Sequence, residues 1–182
     1  NNRPTLTSGL LAIPDSGQTT LPVISYQHGT VFSKTEAPSN PEESMETRLM
    51  LAQFAGQGYL LIAADYFGKA ASVEDDSYTV KASTQQACID MLFAAQAACA
   101  ELGVQMDKLL LSGWSQGGWA TPVFLERLER AGIPVTAAAY ASAPVDLYAT
   151  INRWMHAYNP IDAVYLPGVF AIQLNAYEEY YQ

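Results

Sequence analysis

Apolar positions along the chain alternate between short unbroken runs and stretches spaced three and four apart, and this rhythm predicts the elements. Residues 6–13 carry a strand signal closed by the turn cluster Pro14-Asp15-Ser16-Gly17, and residues 21–27 give a second strand running into His28-Gly29-Thr30. These two strands are expected to pair antiparallel at one side of a sheet. A polar loop over residues 33–40 leads to Asn40-Pro41-Glu42-Glu43, which has a capping side chain, a proline for the first turn and early acids. A helix is therefore expected from there, with Met45, Leu49, Ala52 and Phe54 on its apolar side and Gly56 or Gly58 as its stop.

Residues 59–64 form an apolar run of buried-strand length that stops at Asp65-Tyr66-Phe67-Gly68, and an acidic loop over residues 70–78 follows. Over residues 80–102, Cys88, Met91, Leu92, Ala95, Cys99 and Leu102 recur at helical spacing before Gly103. Leu109–Ser112 then reads as a strand, the chain is helical from residue 115 to Arg130, and residues 135–141 are a last apolar run, cut by Ala143-Pro144. Two helical stretches, residues 146–156 and 165–181, close the chain with an aromatic-rich composition.

Strands alternating with helices predict an α/β fold: a mostly parallel sheet with helices on both faces. Ligands of such sheets lie beyond the carboxyl ends of the strands. Three of those ends carry chemistry-bearing residues: His28-Gly29-Thr30, Asp65 and Ser115.

A length of 182 residues suffices for one sizeable core, and 49% hydrophobic with 15% charged residues is a globular composition. The net charge of −9 argues against nucleic acid or an anionic membrane as partner, and no apolar run has the length of a membrane-spanning helix. Cys88 and Cys99 fall in one predicted helix, where eleven residues span about 16 Å, beyond disulfide reach. They are expected to be small core residues. Glu74-Asp75-Asp76 lacks supporting metal ligands and reads as a solvated loop. A processed or trimmed N-terminus is expected, because the chain starts at Asn1.

Between the Leu109–Ser112 strand and the following helix stands Gly113-Trp114-Ser115-Gln116-Gly117, the pattern G-x-S-x-G, with Gly118 next. A strand that becomes a helix over one residue strains that residue, and its neighbours two before and two after must be small for strand and helix to pass. Ser115 is thus the candidate nucleophile, and the Gln116 N–H at the helix start would face an oxygen placed above it.

The strand ending Gln27-His28-Gly29-Thr30, the strand ending Ala64-Asp65-Tyr66-Phe67-Gly68 and Gly113 to Gly118 together resemble the α/β-hydrolases over about residues 6–145. The similarity is to secreted lipase-like and prolyl-oligopeptidase-like esterases in particular. It implies Ser115 as nucleophile, the Gln116 and Thr30 N–H groups as oxyanion donors, and Gly113 and Gly117 as the small residues of the elbow. It divides the chain into residues 1–143, the N-terminal part of the hydrolase core, and residues 144–182, a helical cap. The implied substrate is a small-molecule or lipid-like ester, with no metal or organic cofactor needed, in a secreted or periplasmic setting. Trp114 and Trp119 flank the nucleophile and are candidate substrate contacts.

The family's triad runs Ser, acid, His, and its complete members reach roughly 250 residues or more. Only two histidines occur here. His28 precedes the serine and is expected to hold the oxyanion loop, while His156 falls on an aromatic cap helix. Asp65 is expected to brace loops and Asp146 to cap the helix that Leu147 begins. The acid and histidine are therefore expected beyond Gln182, in the remaining C-terminal part of the domain, on a second chain or otherwise. Two other readings stay open: a serine peptidase of the same fold, and a non-catalytic binding protein that uses the same pocket.

Overall fold

The computed structural model describes residues 4–181. Five strands form one sheet in the order β1-β3-β2-β4-β5: β1 (Gly9–Ala12), β2 (Thr20–Gln27), β3 (Leu60–Ala64), β4 (Gln105–Trp114) and β5 (Ala137–Ala141). β2, β3, β4 and β5 run parallel, and β1 is antiparallel to β3. The helices are α1 (Met45–Gln53), α2 (Lys81–Glu101), α3 (Gln116–Arg130), α4 (Leu147–His156) and α5 (Asp162–Tyr181).

Side chains of a strand alternate between faces, and here each face finds its own cover. Val23, Leu60, Ile62, Leu109 and Leu111 point to the face packed by α2 and α3, where Ala87, Ile89, Leu92, Phe124 and Leu128 complete the main core. Ile24, Leu61 and Leu110 point the other way, toward Met50, Leu51 and Phe54 at α1 and the turn after it. Each such aliphatic side chain fully removed from water contributes roughly 1.5–3 kcal/mol before chain entropy is offset. Cys88 and Cys99 are buried free thiols on α2, and burial pushes the Cys88 thiol up to about 12.

Two expectations are corrected. β1 pairs with β3, from Gly9↔Ala64 to Ala12↔Leu61, and not with β2. Both edges of β2 are taken by parallel partners, and Asp65 ties the β1 end to β3 by accepting from the Ser8 hydroxyl at 2.6 Å. The first helix starts at Met45, not near Asn40. Residues 40–44 are used in turns, with Glu43 N–H donating to the Asn40 carbonyl. Ser44 is the working cap, accepting from the Thr47 N–H at 3.2 Å. The last apolar run forms the edge strand β5, paired with β4 alone, and all five of its residues are exposed.

The strand order reverses at β2, which has β3 on one side and β4 on the other. The chain leaves β2 through α1 on one face and β3 through α2 on the opposite face, so a crevice opens beyond the ends of β2 and β4. Gln27 pairs with Gly113 there, which sets His28-Gly29-Thr30 beside Trp114 and Ser115.

The passage of α3 beneath this crevice depends on missing side chains. A Cβ on Gly117 would lie 1.7 Å from the Gln27 carbonyl oxygen, and one on Gly113 would lie 2.3 Å from the Gly117 oxygen. Gly117→Ala must therefore push α3 off β2 and should cost about 3 kcal/mol or more of stability in urea unfolding. Gly17, at φ 69° but with open space around it, is the reference: Gly17→Ala should cost only about 1 kcal/mol.

Candidate active site

Ser115 joins β4 to α3 at φ 57° and ψ −116°, a conformation that non-glycine residues rarely adopt. Its N–H donates to the Ala141 carbonyl at 3.0 Å, and its own carbonyl accepts from Trp119 N–H at 3.1 Å. The backbone is thus held on both sides while the side chain stays partly exposed. Strain that surrounding structure over-determines is characteristic of functional positions. A Cβ on Gly118 would meet the Ala141 oxygen at 2.3 Å, so the third glycine lets the helix pass close to β5.

Gln116 is the first residue of α3 and is buried. Among the described residues its N–H and that of Thr30 have no hydrogen-bond partner. The two unpaired donors stand on the two segments that leave neighbouring strands: Gln116 directly follows the serine, and Thr30 follows Gly29, which adjoins Trp114. The amide side chain of Gln116 also has an unpartnered buried oxygen.

The loop after β2 is held by buried polar groups instead of regular structure. Glu46, on the first turn of α1, accepts from Gly29 N–H at 2.9 Å and from the Tyr26 hydroxyl at 2.6 Å. His28 is buried, stacked on Tyr66 with ring centroids 4.2 Å apart, and its ring nitrogens face the Gly29 carbonyl at 2.8 Å and the Asp65 carbonyl at 3.3 Å. Burial lowers its pKa below 6.5 and outweighs the nearby Glu46 charge, which acts in the opposite sense. A neutral imidazole has one N–H to donate, and the Gly29 carbonyl is the nearer acceptor, so this buried histidine is a brace within the loop. Asp65 is likewise occupied, accepting from Ser8 and from Ser39 N–H at 2.9 Å.

The other polar candidates lie elsewhere. Asp146 is exposed and caps α4 by accepting from Ala149 N–H at 2.8 Å. His156 is exposed at the end of α4 and makes no hydrogen bond to Ser115. Asp76 pairs with Lys69 at 2.7 Å, so the acidic loop is partly structural. No cluster of metal-ligating side chains occurs among the described residues.

The two tryptophans diverge. Trp114 is 54% exposed beside the serine, and its carbonyl lies 3.4 Å from where a Cβ on Gly29 would stand. Trp119, one turn into α3, packs against the main core. An open groove of about 330 Å³ runs beneath Trp114 between α1 and the β4–β5 edge, lined by Tyr26, Met50, Phe54, Gly113 and Tyr140. Glu46, Lys69 and Tyr78 are the loop-holding residues that sequence reasoning missed. Glu46 had the signal of an acid in a first helical turn, and Lys69 that of a rare cation directly after Gly68.

The lowered pKa of His28 has a pH consequence. The unfolded chain takes up the imidazole proton near pH 6.5 while the folded chain resists it, so this group's contribution is complete above that pH and declines as pH falls toward the lowered folded value. Urea unfolding across that window should show stability falling with acidification, and His28→Gln should lose the part of that slope due to the imidazole.

No protein-family model and no curated protein matches the chain. Solved structures do. A proposed hydrolase of Legionella pneumophila is 33% identical over 97% of this chain and 48% of its own, with a TM-score of 0.84. The rice cell wall degrading esterase LipA of Xanthomonas oryzae is 25% identical over 81% of this chain and 41% of its own, with a TM-score of 0.72. Candida antarctica lipase A in its closed state, at 18% identity and a TM-score of 0.62, shares the fold over 80% of this chain and 36% of its own. The chain spans about half the length of the first of these relatives, or less for the others. With its mostly parallel sheet, its flanking helices and these neighbours, the chain has the α/β-hydrolase-type fold of esterases and lipases.

Proposed function

We propose that this chain carries the nucleophile half of a serine hydrolase that cleaves carboxylic esters. The observation that carries the reading is Ser115, held at φ 57° between β4 and α3 and followed by the unpaired Gln116 amide, with the unpaired Thr30 amide on the loop that leaves the neighbouring strand β2. The Ser115 oxygen attacks the ester carbonyl and gives up its proton to a base. The carbonyl oxygen, now negative, is received by the two amides, each such donor lowering the barrier by about 3 kcal/mol. Collapse expels the alcohol, and water then releases the acyl group from Ser115.

The base and its acid come from the part of the domain beyond residue 182. In support, His28 is a neutral buried brace, His156 lies exposed on α4 with no bond to the serine, and the relatives are about twice as long or more. The open β4–β5 edge and the groove beneath Trp114 offer apolar surface where that part would pack. Residues 144–182 act as the cap. Trp114 provides an apolar wall for the substrate, and ester cleavage is the activity carried over from the esterase LipA.

In the full-length protein, Ser115→Ala should reduce hydrolysis of short-chain p-nitrophenyl esters by about 10³-fold or more and abolish labelling by a fluorophosphonate probe. Faster turnover of aminoacyl amides than of esters would instead select a peptidase. Absence of both turnover and labelling in the wild type would select a binding protein.

A further inference from the structure

The loop that carries Thr30 is gripped from a second direction, by the segment between β3 and α2. Gly68, at φ 86°, lets this segment fold back on itself: a Cβ there would lie 2.3 Å from the Asp76 Cα. The fold-back brings Lys69 against Asp76 at 2.7 Å, with both side chains largely buried. The Lys69 ammonium also donates to the Val31 carbonyl at 2.8 Å. Two residues beyond Asp76, the Tyr78 hydroxyl meets the Thr30 hydroxyl at 3.0 Å. Gly29 N–H is already engaged by Glu46. Three consecutive residues of the loop are therefore each fixed by a different side chain, those of Lys69 and Tyr78 buried and that of Glu46 partly so, and the free Thr30 N–H lies between the fixed points.

The same segment seats α5. Tyr78 and Val80 pack with Ala176, Val169 and Ile172; Thr79 and Gln173 exchange hydrogen bonds at 2.8 and 3.0 Å; and the Tyr180 hydroxyl donates to the Asp75 carbonyl at 2.8 Å. Thr79 itself sits at φ 52°, an uncommon conformation maintained by this packing.

We propose that Tyr78 and the Lys69–Asp76 pair are positioning residues that aim the Thr30 N–H at the substrate oxygen, and that α5 holds them in place. The proposal rests on the nucleophile reading given above. Removing the Tyr78 hydroxyl leaves the ring and its packing but frees the Thr30 side chain. The donor then wanders, and misplacement by about 1 Å can cost about 100-fold in rate.

In the full-length protein, Tyr78→Phe should lower kcat for an ester by about 10- to 100-fold with KM within about threefold. It should weaken binding of a boronic acid, whose tetrahedral Ser115 adduct mimics the charged intermediate, by the same factor. Thr30→Val should have a similar effect, and the double variant should be no worse than either single one, because both delete one contact. Lys69→Met with Asp76→Leu removes the pair without stranding a buried charge and should also act on kcat. Unchanged kcat in Tyr78→Phe, or losses that multiply in the double variant, would overturn the clamp while Ser115→Ala still abolished turnover. Retained hydrolysis in Ser115→Ala would overturn the nucleophile reading and the clamp together.

Discussion

The contact on which the rest depends is the approach of α3 to the end of β2. Gly117 lies so close to the Gln27 carbonyl that no side chain fits between them. That closeness forces the turn from β4 into α3 to be completed in one residue, and it places Ser115 in its strained positive-φ conformation. It also brings the first amide of α3 level with the loop that leaves β2. Close packing of two elements is thereby converted into a juxtaposition of a hydroxyl and two unpaired donors.

A loop is a poor platform for a donor that must hold its direction, since loops are ordinarily the more mobile parts of a fold. Here the loop after β2 is anchored almost residue by residue. The His28 ring lies between the Gly29 and Asp65 carbonyls, Glu46 takes the Gly29 N–H, Tyr78 takes the Thr30 hydroxyl and Lys69 takes the Val31 carbonyl. Nearly all of these groups are withdrawn from water. An unmade hydrogen bond is costly in such surroundings, so the loop has few alternative arrangements.

The sheet has two contrasting sides. β3 and β2 are covered on both faces, whereas β5 stands exposed at the edge and Trp114 overlooks an open groove. Helix α5 meets the body at the segment 75–80 and beside Phe32, with the Arg153–Asp162 ion pair linking α4 to α5. The part of the molecule nearest the site is thus its least enclosed.

What the sequence by itself determined were the features that local chemistry decides. The strand and helix alternation, the tight turn at Ser115, the capping by Asp146 and the burial of both cysteines were all legible, because each depends on residues within a few positions of one another. The element boundaries were less so: both Asn40 and Ser44 could start α1, and only the Ser44–Thr47 bonds selected one. What the tertiary structure alone decided were long-range choices. β1 pairs with β3 because β2 has no free edge; Trp119 turns into the core while Trp114 stays outside; and Lys69, Asp76 and Tyr78 meet the Thr30 loop only because Gly68 lets the chain double back. Partners separated by some forty residues leave no periodicity in a sequence. Their meeting is fixed by which edges and surfaces remain once the sheet has closed around β2.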